Sequence, residues 1–199
     1  ALALNVPADQ LRYAEGAFHS SDQGVTLASL AQRLSPSNGV HPLDAQAEST
    51  SGSTYPNGCH IAEIEIDPNT GLTNVQNYSA IDDLGHIVSR NLVIGQVHGG
   101  VVQGLGQAFG EHAIYDESTA QLLSGSFMDY PMPRLGCLNH FSWDEHPVPT
   151  KLNALGAKGV GESGCSGSLP ALSNAMLNAL RPLGVTQFDM PFTSARVWE

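Results

Sequence analysis

Glu162 combines a residue type and a setting that could carry out proton chemistry. It stands in Ala157–Ser168, AKGVGESGCSGS, with glycines at 159, 161, 164 and 167. Glycine leaves the backbone bare and able to adopt positive φ. The segment is expected to be a loop running into a helix N-terminus, where free N–H groups and the positive dipole end gather. A lone glutamate is most often a solvated surface group. A carboxylate confined in a constricted glycine loop loses hydration and becomes a better proton acceptor.

A second glycine-rich stretch, GQVHGGVVQGLGQAFGEH, runs from Gly95 to His112. Small residues recur there at helical spacing, at Gly99, Gly100 and Gly104, although each glycine costs a helix about 0.5–1 kcal/mol relative to alanine. The spacing predicts a helix beginning near Gly95-Gln96. Its glycines admit either a ligand or another helix at close range, and spacing alone does not choose between them.

Other chemistries lack their residues. A nucleophile elbow needs Gly-x-Ser-x-Gly, and neither Gly161–Cys165 nor Gly164–Ser168 supplies it. Cys165 has no local histidine to mark it as a nucleophile. The eight histidines contain no H-x-x-x-H pair, and there is no C-x-x-C, so no metal ligands are assigned. In GLGQAFG, Gly104–Gly110, the glycine spacing is that of a helix interior, not of a dinucleotide-binding turn.

The elements that must position these residues suggest an α+β domain. Residues 1–18 read as a helix tail entering a short strand. The abrupt start without a cap leads to the expectation of a chain cut from something longer. Thr26–Leu34 predicts a short helix and Ser35–Gly58 a long loop. Ile61–Ile66 alternates with period two, DPNTG marks a turn, and Leu72–Asp82 returns; this hairpin is expected to be scaffold. Strands are expected at Asp116–Leu123, at Ser126–Tyr130 (buried) and at Trp143–His146. A helix is expected over Leu169–Leu180, stopped by Pro182-Leu183-Gly184.

A chain of 199 residues can bury a sizeable core. Its net charge is −11, with eight Lys plus Arg against nineteen Asp plus Glu, which repels nucleic acid and anionic membrane surfaces. Neither kind of partner is expected. Three scattered cysteines do not make a disulfide framework, and a cytoplasmic location is expected.

Three segments together carry a resemblance. They are Tyr55–His60 with its hairpin through Asp82-Asp83-Leu84-Gly85, then Gly95–Gly104 (GQVHGGVVQG), then Lys158–Gly164 (KGVGESG), followed by the ending DMPFT and Val197-Trp198. In this order the chain resembles the large subunit of molybdenum hydroxylases, the xanthine dehydrogenase, aldehyde oxidoreductase and carbon monoxide dehydrogenase-like family. It departs from that pattern at Cys165, where relatives often carry threonine.

The resemblance implies an α+β molybdopterin-binding domain of xanthine dehydrogenase-like type, of which residues 1–199 would be the C-terminal part. It implies molybdenum held by a pterin dithiolene, in a cytosine dinucleotide form, with 2Fe-2S and FAD groups on partner domains or subunits. Glu162 would be the catalytic base, and Gln96, whose amide both donates and accepts, would bind the pterin. Gly99 and Gly100 would let backbone approach the cofactor, with Lys158 and Gly159 nearby. The reaction would hydroxylate an aldehyde or N-heterocycle carbon of a small-molecule substrate with oxygen from water. The upstream part of the same subunit would be needed, and the chain alone would be inactive. Two other readings stay open: a non-catalytic structural or assembly subunit, and a nucleotide-binding module built on the two glycine-rich helix starts.

Overall fold

The computed structural model describes residues 1–50 and 52–199, in two compact units, Ala1–Thr50 and Ser51–Glu199. In the first unit, two 3-10 turns, Leu2–Leu4 and Ala8–Gln10, stand where a helix tail was expected. Strands β1 (Arg12–Ala14), β2 (Ala17–His19) and β3 (Gly24–Thr26) form an antiparallel meander. Helix α1 (Leu27–Arg33) follows, with Thr26 as its cap: the Ser29 N–H donates to the threonine hydroxyl. Among the described residues, the expected loop from Ser35 has no helix or strand until Asn57; Ser51 lies outside them.

The second unit is built on the expected hairpin, β4 (Asn57–Ile66) and β5 (Thr73–Asp83). The turn closes locally, with Asp67 accepting from the Asn69 N–H and the Thr70 hydroxyl. Strand β6 (Phe141–Glu145) lies parallel to the far edge of β5, giving the order β4-β5-β6. Pairing opposes Glu63 to Asn77 but Ile64 to Val75, so Gln76 is an extra residue in β5. This bulge changes the phase of the alternation. Val75 is buried before it and Tyr78, Ala80 and Asp82 after it, so a polar residue enters the row otherwise used by the core.

Helix α2 (Arg90–Phe109) buries Val93, Val97, Val101, Leu105 and Ala108 along one stripe. Helix α3 (Ser163–Leu180) buries Leu172, Met176 and Leu180 beside it. These side chains, with Val75, Tyr78, Leu84 and Phe192, form the core of the unit. The short helix α4 (Ser194–Trp198) ends the chain.

Both long helices begin earlier than the sequence suggested. α2 starts at Arg90, so Gln96 lies in its second turn and not among the free N–H groups of its end. α3 starts at Ser163, so Gly164, Cys165, Gly167 and Ser168 are helical and not loop. Pro170, a residue type that favours the first turn of a helix, sits inside α3.

The strands expected at Asp116–Leu123 and Ser126–Tyr130 are absent. Asp116 accepts from the N–H and hydroxyl groups of both Ser118 and Thr119, a local turn that competes with sheet pairing. Only an isolated bridge joins Tyr115 to Leu122. Phe127 and Met128 are 78% and 91% exposed in a turn, the reverse of a buried strand.

Candidate functional site

Backbone contact between α2 and α3 brings the candidate residues together. A Cβ on Gly164 would stand 2.4 Å from the Val97 carbonyl oxygen, and one on Gly100 would stand 2.8 Å from the Cys165 nitrogen. Side chains of any size would force the helices apart there. The missing Cβ of Gly100 is therefore used by α3. Gly99 is different: it is exposed, and a Cβ there would meet nothing within 4 Å. Gln96, one residue before Val97, is also exposed.

Glu162 is the N-cap position of α3, two residues before the Gly164 contact. Its carbonyl accepts the Ser166 N–H at 2.8 Å, and its side chain does not cap the helix. It is exposed, so the residues of this chain do not supply the desolvation expected from a constricted loop. A cleft of about 800 Å³ opens beside it, lined by Gly159, Gly161, Glu162, Ser166, Gly58 and His60 among others.

Lys158 does not reach into that cleft as a free cation. Its ammonium lies 2.5 Å from Asp83 Oδ2, with both side chains 12% exposed. Burial opposes ionisation of Asp83. The Lys158 ammonium and the N–H groups of Gly85 and Val148 outweigh it and hold the carboxyl below its ordinary value. Gly159 lines the cleft directly.

The hairpin, expected to be scaffold, also contributes to the cleft. His60 and Asp82 line it. His60 Nδ1 is 2.8 Å from the Tyr78 hydroxyl and its Nε2 is 3.2 Å from Asp82 Oδ1, while the Trp143 indole N–H donates to Asp82 Oδ2 at 2.8 Å. Burial, reinforced by the negative charge of Asp82, pushes the Tyr78 phenol well above its ordinary pKa and keeps it protonated. Reading the sequence missed this cluster. The available signal was phase: His60 and Asp82 fall in rows otherwise occupied by Ala62 and Ile64, and by Tyr78 and Ala80.

Among the described residues no group of three or more His, Cys, Asp or Glu is placed to hold a metal ion, and no helix is long and apolar enough to cross a membrane.

Residues 1–137 match the family model described as the molybdopterin cofactor-binding domain. The chain is 38% identical over 146 residues to the carbon monoxide dehydrogenase large chain of Hydrogenophaga pseudoflava, covering 73% of this chain and 18% of that one. It is 36% identical over 152 residues to the nicotine 6-hydroxylase large subunit of Paenarthrobacter nicotinovorans, covering 76% and 18%. Among solved structures, a Cu,Mo-CO dehydrogenase in its carbon monoxide reduced state superposes with a TM-score of 0.80 at 30% identity, over 99% of this chain and 26% of that one. Quinoline 2-oxidoreductase from Pseudomonas putida 86 gives 0.76 at 27%, over 98% and 26%. The chain thus spans between about a fifth and a quarter of the length of these relatives.

Proposed function

Because the chain belongs to the molybdopterin cofactor-binding domain family, we propose that it is the C-terminal part of a molybdenum hydroxylase large subunit with Glu162 as its catalytic base. The observation that carries this reading is the α2–α3 contact. The exposed Gln96 lies one residue before Val97 and the exposed Glu162 two residues before Gly164, so both precede the same backbone crossing, with Glu162 on a cleft.

The residues present fit a pterin-held metal. Gln96 offers an amide that donates and accepts. Beside it, Gly99 leaves helical backbone uncovered, with room that a Cβ would fill. Gln96 and Gly99 are the residues proposed to hold the cofactor, with Gly159 at the cleft. Lys158 acts through Asp83, bracing the segment that carries Gly159 and Glu162. When bound, the molybdenum–pterin group supplies the oxygen-transfer and two-electron chemistry. Glu162, as a carboxylate, accepts the proton released as water-derived oxygen is incorporated. Electrons leave through 2Fe-2S and FAD groups on partner domains or subunits, in the cytoplasm, and the isolated chain is inactive.

The substrate class proposed is an aldehyde or an N-heterocycle. The relatives named for nicotine and quinoline support the second. A cytosine dinucleotide form of the cofactor and dependence on the upstream part of the subunit belong to the same reading. Glu162→Gln in the full-length enzyme is expected to abolish turnover while molybdenum stays bound; turnover retained at full molybdenum content overturns the assignment.

The exposure of Glu162 favours a second reading, a structural or assembly subunit without catalysis of its own. Molybdenum per protein, and CMP released by acid from the purified complex, separate the two. Near-stoichiometric amounts of both support the enzyme. Absence of both from a folded complex, in a host that makes the cofactor, supports the alternative.

A further inference from the structure

The cluster behind the cleft, His60, Tyr78, Asp82 and Trp143, has no part in the chemistry assigned to Glu162. Its members come from all three strands of the sheet. Tyr78 and Asp82 are 1% and 2% exposed, and the His60 side chain is 4% exposed. Burying this much polarity is costly unless each group is paired, and here each is.

The pairing also selects a tautomer. The Tyr78 hydroxyl stands 2.8 Å from Nδ1, where it can donate to the ring. Asp82 Oδ1 faces Nε2 as an acceptor, which favours the Nε2–H tautomer, and the other carboxylate oxygen accepts from Trp143. The imidazole is anchored at both nitrogens.

The ring faces α3. A Cβ on Gly167 would lie 2.5 Å from His60 Cγ, 2.5 Å from Nδ1 and 2.6 Å from Cε1. Near-equal distances to three ring atoms mean that the face of the imidazole, not its edge, rests on the helix backbone. Gly167 lies five residues beyond Glu162, roughly 7.5 Å along the axis at the helical rise per residue. The start of α3 is therefore seated twice. Gly164 sets it against α2 at Val97, and Gly167 sets it against the sheet at His60.

We propose that His60 is a positioning residue: anchored as its Nε2–H tautomer between Tyr78 and Asp82, its ring sets the seat of the first turns of α3 and thereby the place of the Glu162 carboxylate. The inference rests on the reading of Glu162 as the base. A helix moves as a rigid body, so a change at the seat is carried to its first residue. A misplacement of about 1 Å at a reacting group costs on the order of 100-fold in rate.

The test uses the full-length, cofactor-loaded enzyme with His60→Ala, His60→Gln and Tyr78→Phe. His60→Ala is expected to lower kcat per bound molybdenum on the order of 100-fold with KM little changed. His60→Gln keeps a donor to Asp82 and is expected to recover most of the loss. Tyr78→Phe keeps the ring but frees Nδ1 and should lie between, so the test survives if the alanine variant does not fold. A purely structural role would lower the melting temperature and leave kcat per molybdenum at the wild-type value; that result overturns the proposal. A readout independent of activity is solid-state NMR of the 15N-histidine-labelled enzyme, with His60 assigned by its loss in His60→Gln. A protonated Nε2 and bare Nδ1 are expected, and an Nδ1–H or averaging ring overturns the assignment. The two readings fail separately: turnover retained in Glu162→Gln removes the base, whereas turnover lost there but normal in every His60 and Tyr78 variant removes only the positioning role.

Discussion

Gly164 and Val97 meet so closely that a Cβ on the glycine would stand 2.4 Å from the valine carbonyl oxygen. That oxygen belongs to helix backbone and cannot swing aside. Gly164→Ala must separate α2 from α3 and is expected to cost about 1–3 kcal/mol, the usual range for overpacking a well-filled contact. Chemical denaturation would show it as a lower midpoint at unchanged slope. A midpoint equal to wild type would mean that the helices do not touch there.

Gly99 supports the opposite expectation. A Cβ there meets nothing in this chain, and alanine is the better helix former by up to about 1 kcal/mol. Gly99→Ala should keep or raise stability. If Gly99 is backbone that the cofactor approaches, the same change should lower molybdenum occupancy of the full-length enzyme several-fold. Unchanged occupancy removes Gly99 from the site.

Trp143→Phe deletes the indole donor to Asp82 Oδ2 while keeping an aromatic ring on β6. It leaves a buried acceptor unpaired, at a cost of about 1–3 kcal/mol. Urea unfolding of the two proteins at neutral pH would measure the difference. Trp143→Phe matching wild type would show that the oxygen finds another donor.

The Lys158–Asp83 pair gives a pH dependence with a definite sign. The Asp83 carboxyl is held below its ordinary value of 3.8 in the folded protein. Its stabilising contribution is therefore fully present above pH 3.8 and lost as pH falls through the lower folded value. Lys158→Met should be most destabilising at neutral pH, with the gap to wild type closing on acidification below pH 3.8. Thermal melts from pH 7 to pH 2 would follow it, and a gap independent of pH would rule out the pair as its source.

Reading the sequence succeeded where the signal is local. Alternation in Ile61–Ile66 and the turn at Asp67–Gly71 belong to the hairpin itself and need no distant partner, and the short helix expected at Thr26–Leu34 forms over Leu27–Arg33. The family resemblance was equally legible, because it rests on motifs in order along the chain. Helix starts were misjudged because glycine carries two meanings. Gly95 read as a helix start and Gly164 as loop, yet both lie inside helices. The strands expected at Asp116–Leu123 and Ser126–Tyr130 failed for another reason. A strand needs a neighbour to satisfy its backbone groups, and at Asp116 local side-chain bonds form instead.

By itself the sequence determined the hairpin, the short helix, the membership of the family and the identity of Glu162, Gln96, Gly99, Gly100, Lys158 and Gly159 as residues worth testing. Only the tertiary structure decided what each glycine is for: Gly100, Gly164 and Gly167 are filled by neighbouring backbone or ring, while Gly99 is left open. It alone revealed His60 and Asp82 as one cluster, joined across 22 positions of chain. The physical reason is that period and propensity act between residues close in sequence, whereas close approach and the pairing of buried polar groups depend on which distant segments packing brings together.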